Sequence, residues 1–280
     1  MSAAAPATAT AAWGADPYAE ALRSGRGPLF LRRSDGWLLP LEVERWCAGP
    51  DAADRAVLRR CEGAVLDIGC GPGRLVAGLA ALGRRALGID VSPAAVARTA
   101  ATGGTALHRS VFDPLPGEGS WGTALLLDGN IGIGGDPRAL LARSAQLVAR
   151  PGLLLVETTP ADVDERVQVR VERGCPGGRG TPGEPFPWAR VGTPALLRHA
   201  AATGWTAVEQ WSHAGPPDQS PGGAERCFVA LRRRPPAPVP ACRDAAVRHS
   251  SHTAESANSA AVSSSQRPRN TPAGRPVAAS

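Results

Sequence analysis

Lysine is absent from the 280 residues, so all 31 basic residues are arginine. The formal net charge of +6 would ordinarily suggest nucleic acid or an anionic membrane as a partner. The excess lies at one end, because from Arg232 onward there are eight arginines against only Asp244 and Glu255. The preceding 231 residues carry 23 arginines and 23 acidic residues. That part is formally neutral, so bulk charge does not indicate a polyanionic partner for it.

Metal, disulfide and membrane signatures are also missing. The six cysteines, at positions 47, 61, 70, 175, 227 and 242, form no C-x-x-C pair and have no histidine at ligand spacing. We therefore expect no metal site, no disulfide framework and a reducing compartment. No run approaches the roughly 18 apolar residues of a membrane span, and the N-terminus lacks the pattern of a signal peptide. The sequence predicts a cytoplasmic protein without a membrane partner.

Large apolar residues disappear towards the C-terminus. Residues 235–280 contain no Leu, Ile, Phe, Trp, Tyr or Met, and consist mostly of Ala, Ser and Pro with scattered Arg. Such a segment buries too little apolar area to offset the entropy lost on ordering. We predict a disordered tail over 233–280, a disordered N-terminus over 1–15, and one domain over 16–232.

Within that domain, short apolar runs alternate with helical patterns, which is typical of a parallel sheet wrapped by helices. The five runs predicted to form parallel strands are 64–68, 86–89, 105–108, 123–127 and 153–156. Two final runs, 205–211 and 226–231, are separated by a Pro/Gly-rich loop instead of a helix, so we expect an antiparallel hairpin. The predicted fold class is α/β: a doubly wound, mostly parallel seven-stranded sheet with a C-terminal antiparallel hairpin.

Helix boundaries are marked by capping residues and glycines. Ser92, Asp136 and Thr193 each precede a proline, and each is predicted to cap a helix that begins there. Gly83 and Gly204 are predicted to end two helices. The helix before Gly83 is predicted to bury one face, formed by Leu75, Val76, Leu79 and Leu82.

A glycine-rich turn follows the first predicted strand and leads into a helix. Residues 65–73 are Val-Leu-Asp-Ile-Gly-Cys-Gly-Pro-Gly. Glycines let the backbone approach a ligand closely and direct free N–H groups at it. A dinucleotide fingerprint G-x-G-x-x-G would need glycine at position 74, which is Arg, whereas the third glycine here is Gly73. The spacing disfavours an NAD-dependent oxidoreductase, which stays open as an alternative.

This turn, together with Gly-Ile-Asp-Val-Ser at 88–92, resembles the S-adenosylmethionine site of class I methyltransferases. The resemblance covers most of 64–160, extends through strand order to about 231, and implies a Rossmann-like sheet with S-adenosylmethionine as cofactor. The cofactor-binding residues it implies are Asp67, Gly69, Cys70, Gly71, Gly73, Asp90, Val91, Phe112, Asp113 and Asp128.

The resemblance also implies roles for these residues. The turn would cradle the methionine part, with Asp67 near its ammonium, and Asp90 would accept the ribose hydroxyls. Phe112 and Asp113 would hold the adenine, and Asp128 would lie where cofactor and acceptor meet.

Several of these positions have a simpler interpretation. Asp113 before proline and Asp128 before glycine are also common turn residues. Cys70 is expected to be a small filler, not a nucleophile. Arg74 could reach a carboxylate, but at the start of a helix it is expected to be a solvated surface charge.

Methyl transfer from a sulfonium is an in-line displacement, so positioning supplies much of the rate enhancement, about 7–11 kcal/mol. The chemistry dictates no catalytic residue, and the candidates for a base are Asp128, Glu157, His108 and His213. The signature of nucleic-acid base methylation is absent after the fourth strand, where the sequence is Leu-Asp-Gly-Asn. We therefore expect a small-molecule acceptor and no nucleic-acid partner. A non-catalytic, cofactor-binding accessory or sensor protein shares the whole site and stays open.

Two regions could provide acceptor specificity. The insertion over 158–192 is predicted to form a substrate cap at the active edge of the sheet. In the N-terminal part, four aromatic residues could line a pocket or pack the helices: Tyr18, Phe30, Trp37 and Trp46. Neither the acceptor nor the oligomeric state follows from the sequence.

Overall fold

The structure, a computed structural model, describes residues 16–174, 184–214 and 225–233. The disorder predicted over 1–15 and 234–280 lies outside these residues, as does the loop at 215–224. Arg233, which we had assigned to the tail, is instead the last residue of a strand and pairs with Trp205.

The described elements alternate between strands and helices. In chain order they are α1 (Asp16–Ser24), β1 (Leu29–Arg33), β2 (Leu38–Leu41), α2 (Val43–Cys47), α3 (Ala52–Arg60), β3 (Val65–Ile68), α4 (Arg74–Ala81), β4 (Ala86–Asp90), α5 (Pro93–Ala101), β5 (Ala106–His108), β6 (Trp121–Leu126), a 3-10 turn (Asn130–Gly132), α6 (Pro137–Leu147), β7 (Val148–Thr158), β8 (Asp164–Arg173), β9 (Phe186–Val191), α7 (Thr193–Ala202), β10 (Trp205–His213) and β11 (Arg226–Arg233).

Seven of these strands form one sheet in the order β5-β4-β3-β6-β7-β11-β10. The first five are mutually parallel, and β11 joins β7 and β10 in antiparallel pairs. The predicted fold class, including the final hairpin, is confirmed. The carboxyl ends of β3, β4 and β6 therefore meet at one edge of the sheet, where ligands bind in open α/β sheets.

Apolar residues cover both faces of this sheet. Along β7, Leu154 and Val156 pack into a cluster with α6 and α7, whereas Leu153 and Leu155 pack into a second cluster with α3 and α4. Successive strand residues point to opposite faces, so a continuous apolar run is what a sheet covered on both sides requires.

Two of the three predicted helix caps are present. Ser92 accepts the backbone N–H of Ala95, and Asp136 accepts those of two residues in the first turn of α6. The prediction for Thr193 is wrong, because the helix begins at Thr193 itself and its hydroxyl lies 2.8 Å from that of Thr158.

The predicted end of α4 is confirmed, but its predicted apolar face is one residue too long. Gly83 has a φ of +69°, as expected after a helix end. Leu82 occupies the C-cap and is 54% exposed, because the chain leaves the helical path there.

A second sheet of four antiparallel strands has the order β2-β1-β8-β9. Half of it comes from the N-terminal hairpin and half from the segment 158–192. Its buried side chains, including Val169 and Val171 of the alternating strand β8, pack with α1 in a third apolar cluster. The segment predicted as a cap is therefore built into a sheet with the N-terminal region. None of the described helices is long and apolar enough to cross a bilayer.

Candidate active site

A cavity of about 630 Å³ lies at the carboxyl ends of the parallel strands. This volume is within the range of roughly 300–1,000 Å³ that is typical of small-molecule sites. Residues that follow β3, β4 and β6 line one part of it, among them Gly69, Val91 and Asp128. Another part is lined by residues of the N-terminal region, the 3-10 turn and β9, namely Leu41, Trp46, Ile133, Phe186, Pro187 and Trp188.

The glycine turn after β3 requires its glycines for two reasons. Gly69, Gly71 and Gly73 all have positive φ, between +54° and +87°, which side chains rarely adopt. A Cβ on Gly69 would lie 2.7 Å from the amide nitrogen of Asn130, and one on Gly73 would lie 2.6 Å from Thr99. A Cβ on Gly71 would meet only the hydroxyl oxygen of Tyr18, at an ordinary contact distance of 3.7 Å. The turn is packed from below and leaves its middle glycine free to face a ligand.

Asn130 holds this turn in place, a role that sequence reasoning missed. Its Nδ2 donates hydrogen bonds to the carbonyl oxygens of Ile68 (2.8 Å) and Gly69 (2.9 Å). Asn130 also lines the cavity. The sequence offered one signal, which is that Asn130 lies just after the fourth predicted strand. In the structure the end of that strand lies beside the glycine turn that follows β3.

Asp90, at the end of β4, is 8% exposed and lines the cavity. Its two carboxylate oxygens accept the backbone N–H groups of Gly71 (2.9 Å) and Ser92 (2.8 Å). Burial raises the pKa of Asp90, and these N–H groups offset only part of that effect. Each oxygen retains a second lone pair, so the carboxylate can still accept two hydroxyl groups.

Asp67, the acid of the glycine motif, is 1% exposed and is not among the residues that line the cavity. Its Oδ2 is buried and has no hydrogen-bond partner among the described residues. Burial raises the pKa of Asp67 to about 7, although Arg74 lowers it. A positive charge placed on the turn above Asp67 would favour its ionised form.

The loop after β5 brings Phe112 and Asp113 to the cavity. Asp113 is exposed, and its Oδ2 accepts the backbone N–H of Ser110 at 3.0 Å, which is the turn role considered above. Arg143 of α6 fixes the loop by donating to the carbonyl oxygens of Val111 and Asp113. Nothing in the sequence indicated this anchor.

Cys70 fills a gap in the packing under the glycine turn. Its side chain is buried against Gly88, where an added Cβ would lie 2.6 Å from the sulfur. Burial raises the pKa of the Cys70 thiol well above its ordinary value, so it stays protonated. This environment suits the small filler that we expected.

A group of ion pairs that we call the charge cluster reaches the cavity through Arg74 and Asp128. Its members are Arg45, Asp51, Asp54, Arg74, Asp128, Glu157 and Arg226. The expectation of a solvated Arg74 is wrong: Arg74 is 6% exposed, 2.8 Å from Asp54 and 2.7 Å from Asp128. Burial lowers the pKa of Arg74, but the carboxylates outweigh it and keep the guanidinium charged.

Asp128 is the centre of the charge cluster and also lines the cavity. Its carboxylate contacts Arg45 at 2.5 Å as well as Arg74. Burial alone would raise its pKa, but the guanidinium groups outweigh burial and hold the pKa below its ordinary range. Its φ of +55° is the one positive value at a non-glycine residue within the described segments. Both carboxylate oxygens of Asp128 therefore accept hydrogen bonds from arginines.

The other candidates for a base lie outside the lining of the cavity. Glu157 is 2.7 Å from Arg226 and accepts the backbone N–H of Asp128. The exposed rings of His108 and His213 lie 2.9 Å and 3.0 Å from backbone carbonyl oxygens. Their assignment as a base stays a prediction that this geometry does not favour.

The sheet order, the glycine turn after the first strand and the acid after the second together match the fold of class I S-adenosylmethionine-dependent methyltransferases. Residues 65–152 match the family model described as a methyltransferase domain. No curated protein matches the sequence. The chain is accordingly an enzyme that contains a methyltransferase domain and transfers methyl groups.

Solved structures share the fold at low sequence identity. A methyltransferase from Bacteroides fragilis, in complex with S-adenosyl-L-homocysteine, has a TM-score of 0.62 at 19% identity, covering 82% of this chain and 98% of that one. The CcbJ methyltransferase from Streptomyces caelestis has a TM-score of 0.54 at 16% identity, covering 81% and 99%. The likeness therefore extends well beyond residues 65–152.

Proposed function

We propose that this methyltransferase transfers the methyl group of S-adenosylmethionine to a nucleophile on a small molecule. The observation that carries the proposal is one cavity of about 630 Å³ that is lined both by the glycine turn and by an apolar wall, formed by Leu41, Trp46, Ile133, Phe186, Pro187 and Trp188. The formally neutral sequence before Arg232 supports an acceptor other than a nucleic acid.

The residues at the glycine turn fit the cofactor. Gly71 lines the cavity, has a positive φ and carries no side chain, so the backbone can lie against the methionine part. The buried, unpartnered oxygen of Asp67 lies under this turn and would attract the ammonium through space. Cys70 and Gly73 support the turn from below.

The remaining cofactor contacts follow the strand ends. Asp90 would accept the ribose hydroxyls through its free lone pairs, beside the backbone of Val91. Phe112 would pack against the adenine, with Asp113 at the rim. Asp128 would contribute its backbone and its place at the cavity, since its carboxylate is held by arginines.

The cofactor supplies an already activated methyl group on its sulfonium. The chain then has to hold the acceptor in line with the methyl group and exclude water, and such positioning is worth about 7–11 kcal/mol. The apolar wall can do both, because it gives water few hydrogen-bonding partners.

Calorimetric titration with S-adenosylmethionine and S-adenosylhomocysteine tests the proposal. Asp90→Asn should weaken both by at least about tenfold, since a hydrogen bond to a charged group is worth about 1.5–3 kcal/mol. The matched control is Asp162→Asn, the same change at an exposed position. Failure of the wild-type protein to bind either compound would refute the proposal, and unchanged affinity in Asp90→Asn would refute the ribose assignment.

A further inference from the structure

One group of residues that line the cavity has an unusual composition. Six residues form it, and we call them the apolar wall: Leu41, Trp46, Ile133, Phe186, Pro187 and Trp188. Three of the six are aromatic, and none is titratable. We propose that the acceptor is a flat aromatic molecule without a positive charge, whose reacting atom is nucleophilic without help from an enzymatic base. The inference rests on the proposed function.

The wall presents carbon atoms in place of hydrogen-bonding groups. The indole nitrogen of Trp46 is buried and has no partner among the described residues, so the ring carbons are what reach the cavity. Phe186 and Trp188 meet edge to face, with ring centroids 6.2 Å apart and planes at 87°. Aromatic ligands gain from such edges and faces beyond the area that they bury.

The wall is held in a fixed position by the fold. Ile133 pairs through its backbone with Trp188, and a Cβ on Gly132 would lie 2.7 Å from the Trp188 ring. Gly135 is equally close to Pro187. The 3-10 turn after β6 therefore packs directly against β9, which places the wall beside the end of the parallel sheet.

Every carboxylate that lines the cavity already has a partner. Asp90 accepts two backbone N–H groups, Asp113 accepts that of Ser110, Asp128 is paired with Arg45 and Arg74, and Asp136 caps α6 and contacts Arg166. No histidine is among the described residues of the lining. Tyr18 also lines the cavity, and burial followed by the charge of Asp90 raises its pKa well above its ordinary value. Its hydroxyl is neutral and cannot serve as a base.

These observations restrict the acceptor. Aromatic faces also attract cations, but a protonated amine has no lone pair with which to accept a methyl group. In the reaction, a lone pair of the acceptor forms the bond to the methyl carbon, and the carbon–sulfur bond breaks with its electrons going to sulfur. If the acceptor is a thiol or an aromatic alcohol, its proton passes to water beforehand and the resulting anion reacts, because the lining offers no free base.

Binding to protein saturated with S-adenosylhomocysteine tests the first half of the inference. The probes are 2-naphthol and 2-decalol, which share a skeleton and hydroxyl but differ in aromaticity, and benzyltrimethylammonium as an aromatic cation. We expect 2-naphthol to bind at least about threefold more tightly than either. Equal binding of the two alcohols, or tighter binding of the cation, would overturn the inference.

Variants of Trp46 locate the binding. Trp46→Leu should weaken 2-naphthol by roughly three- to tenfold, and Trp46→Phe should retain most of the affinity. The matched control, Trp211→Leu, removes an indole outside the cavity lining, where Trp211 stacks on Phe228. It should leave binding unchanged. Equal losses in Trp46→Leu and Trp211→Leu would contradict the assignment.

Methyl transfer to 2-naphthalenethiol and to 2-naphthol tests the second half. Without an enzymatic base, the two pH–rate profiles should be displaced by the difference between the acceptors' own pKa values. Profiles that share one inflection would reveal a base and overturn the inference, as would absence of turnover with both probes. If S-adenosylhomocysteine itself does not bind, the proposed function fails; if it binds and the probes behave otherwise, only this inference fails.

Discussion

Asp67 couples the pH of the solution to the stability of the cofactor-free protein. Its side chain is buried without a partner for Oδ2, and burial raises its pKa from 3.8 to about 7. The folded protein therefore keeps a proton that the unfolded chain releases between pH 4 and pH 7. Stability falls with rising pH wherever the folded state binds more protons than the unfolded state. Asp67 thus makes the protein less stable at neutral pH than in mild acid.

The size of this effect follows from the shift. A change of about three pKa units corresponds to about 4 kcal/mol, at roughly 1.4 kcal/mol per unit. Part of this loss of stability occurs below pH 5. Between pH 5 and pH 8 the remaining loss is about 3 kcal/mol. Asp67→Asn cannot titrate, so the free energy of unfolding of this variant, measured relative to wild type, should rise by that amount from pH 5 to pH 8.

Urea unfolding at the two pH values measures this difference without cofactor. Contributions from all other titrating groups cancel in the comparison of wild type with Asp67→Asn, and Asp162→Asn provides the exposed control. If the difference in the free energy of unfolding between wild type and Asp67→Asn is the same at pH 5 and pH 8, the reasoning is refuted. With S-adenosylmethionine present, the positive charge favours ionised Asp67, so cofactor affinity of the wild type should increase over the same interval.

Two further changes test the glycine turn and the charge cluster. Gly69→Ala and Gly83→Ala both place a side chain at positive φ, which costs about 1–2 kcal/mol. Only the Cβ at position 69 meets Asn130. Calorimetry should therefore show loss of cofactor binding in Gly69→Ala and not in Gly83→Ala. Asp128→Ala removes the carboxylate that Arg45 and Arg74 share, although Arg74 keeps Asp54, and should lower the free energy of unfolding by about 3 kcal/mol; in urea, a loss no larger than that of Asp35→Ala, an exposed position, would contradict this.

The sequence predicted those parts of the fold that have local causes. Five parallel strands followed from short apolar runs, and the glycine turn followed from spacing that requires positive φ at Gly69, Gly71 and Gly73. Cap residues such as Ser92 act within one turn of a helix and can be identified without knowing the fold. Each of these features depends on neighbours close in sequence.

Features that depend on distant contacts were missed. Arg74 is surrounded by Asp54 and Asp128, which lie 20 and 54 residues away in sequence. The segment 158–192 carries a strand pattern, but its pairing with β1, about 140 residues earlier, has no signal in a single sequence. The helical spacing of apolar residues also includes Leu82, so it did not show that the helix ends at the residue before it.

The charge cluster connects the two sides of the site. Arg45, which holds Asp128 at the end of β6, is followed in α2 by Trp46 of the apolar wall. Arg226 of the final strand joins Glu157 and Asp54 to the same group. Three guanidinium groups face four carboxylates, so the cluster carries a net negative charge when all are ionised, and it reaches the cavity at Asp128 and Arg74. That net charge would favour a cationic cofactor over its neutral product, and the ion pair of Arg45 with Asp128 holds α2 where Trp46 of the apolar wall reaches the cavity.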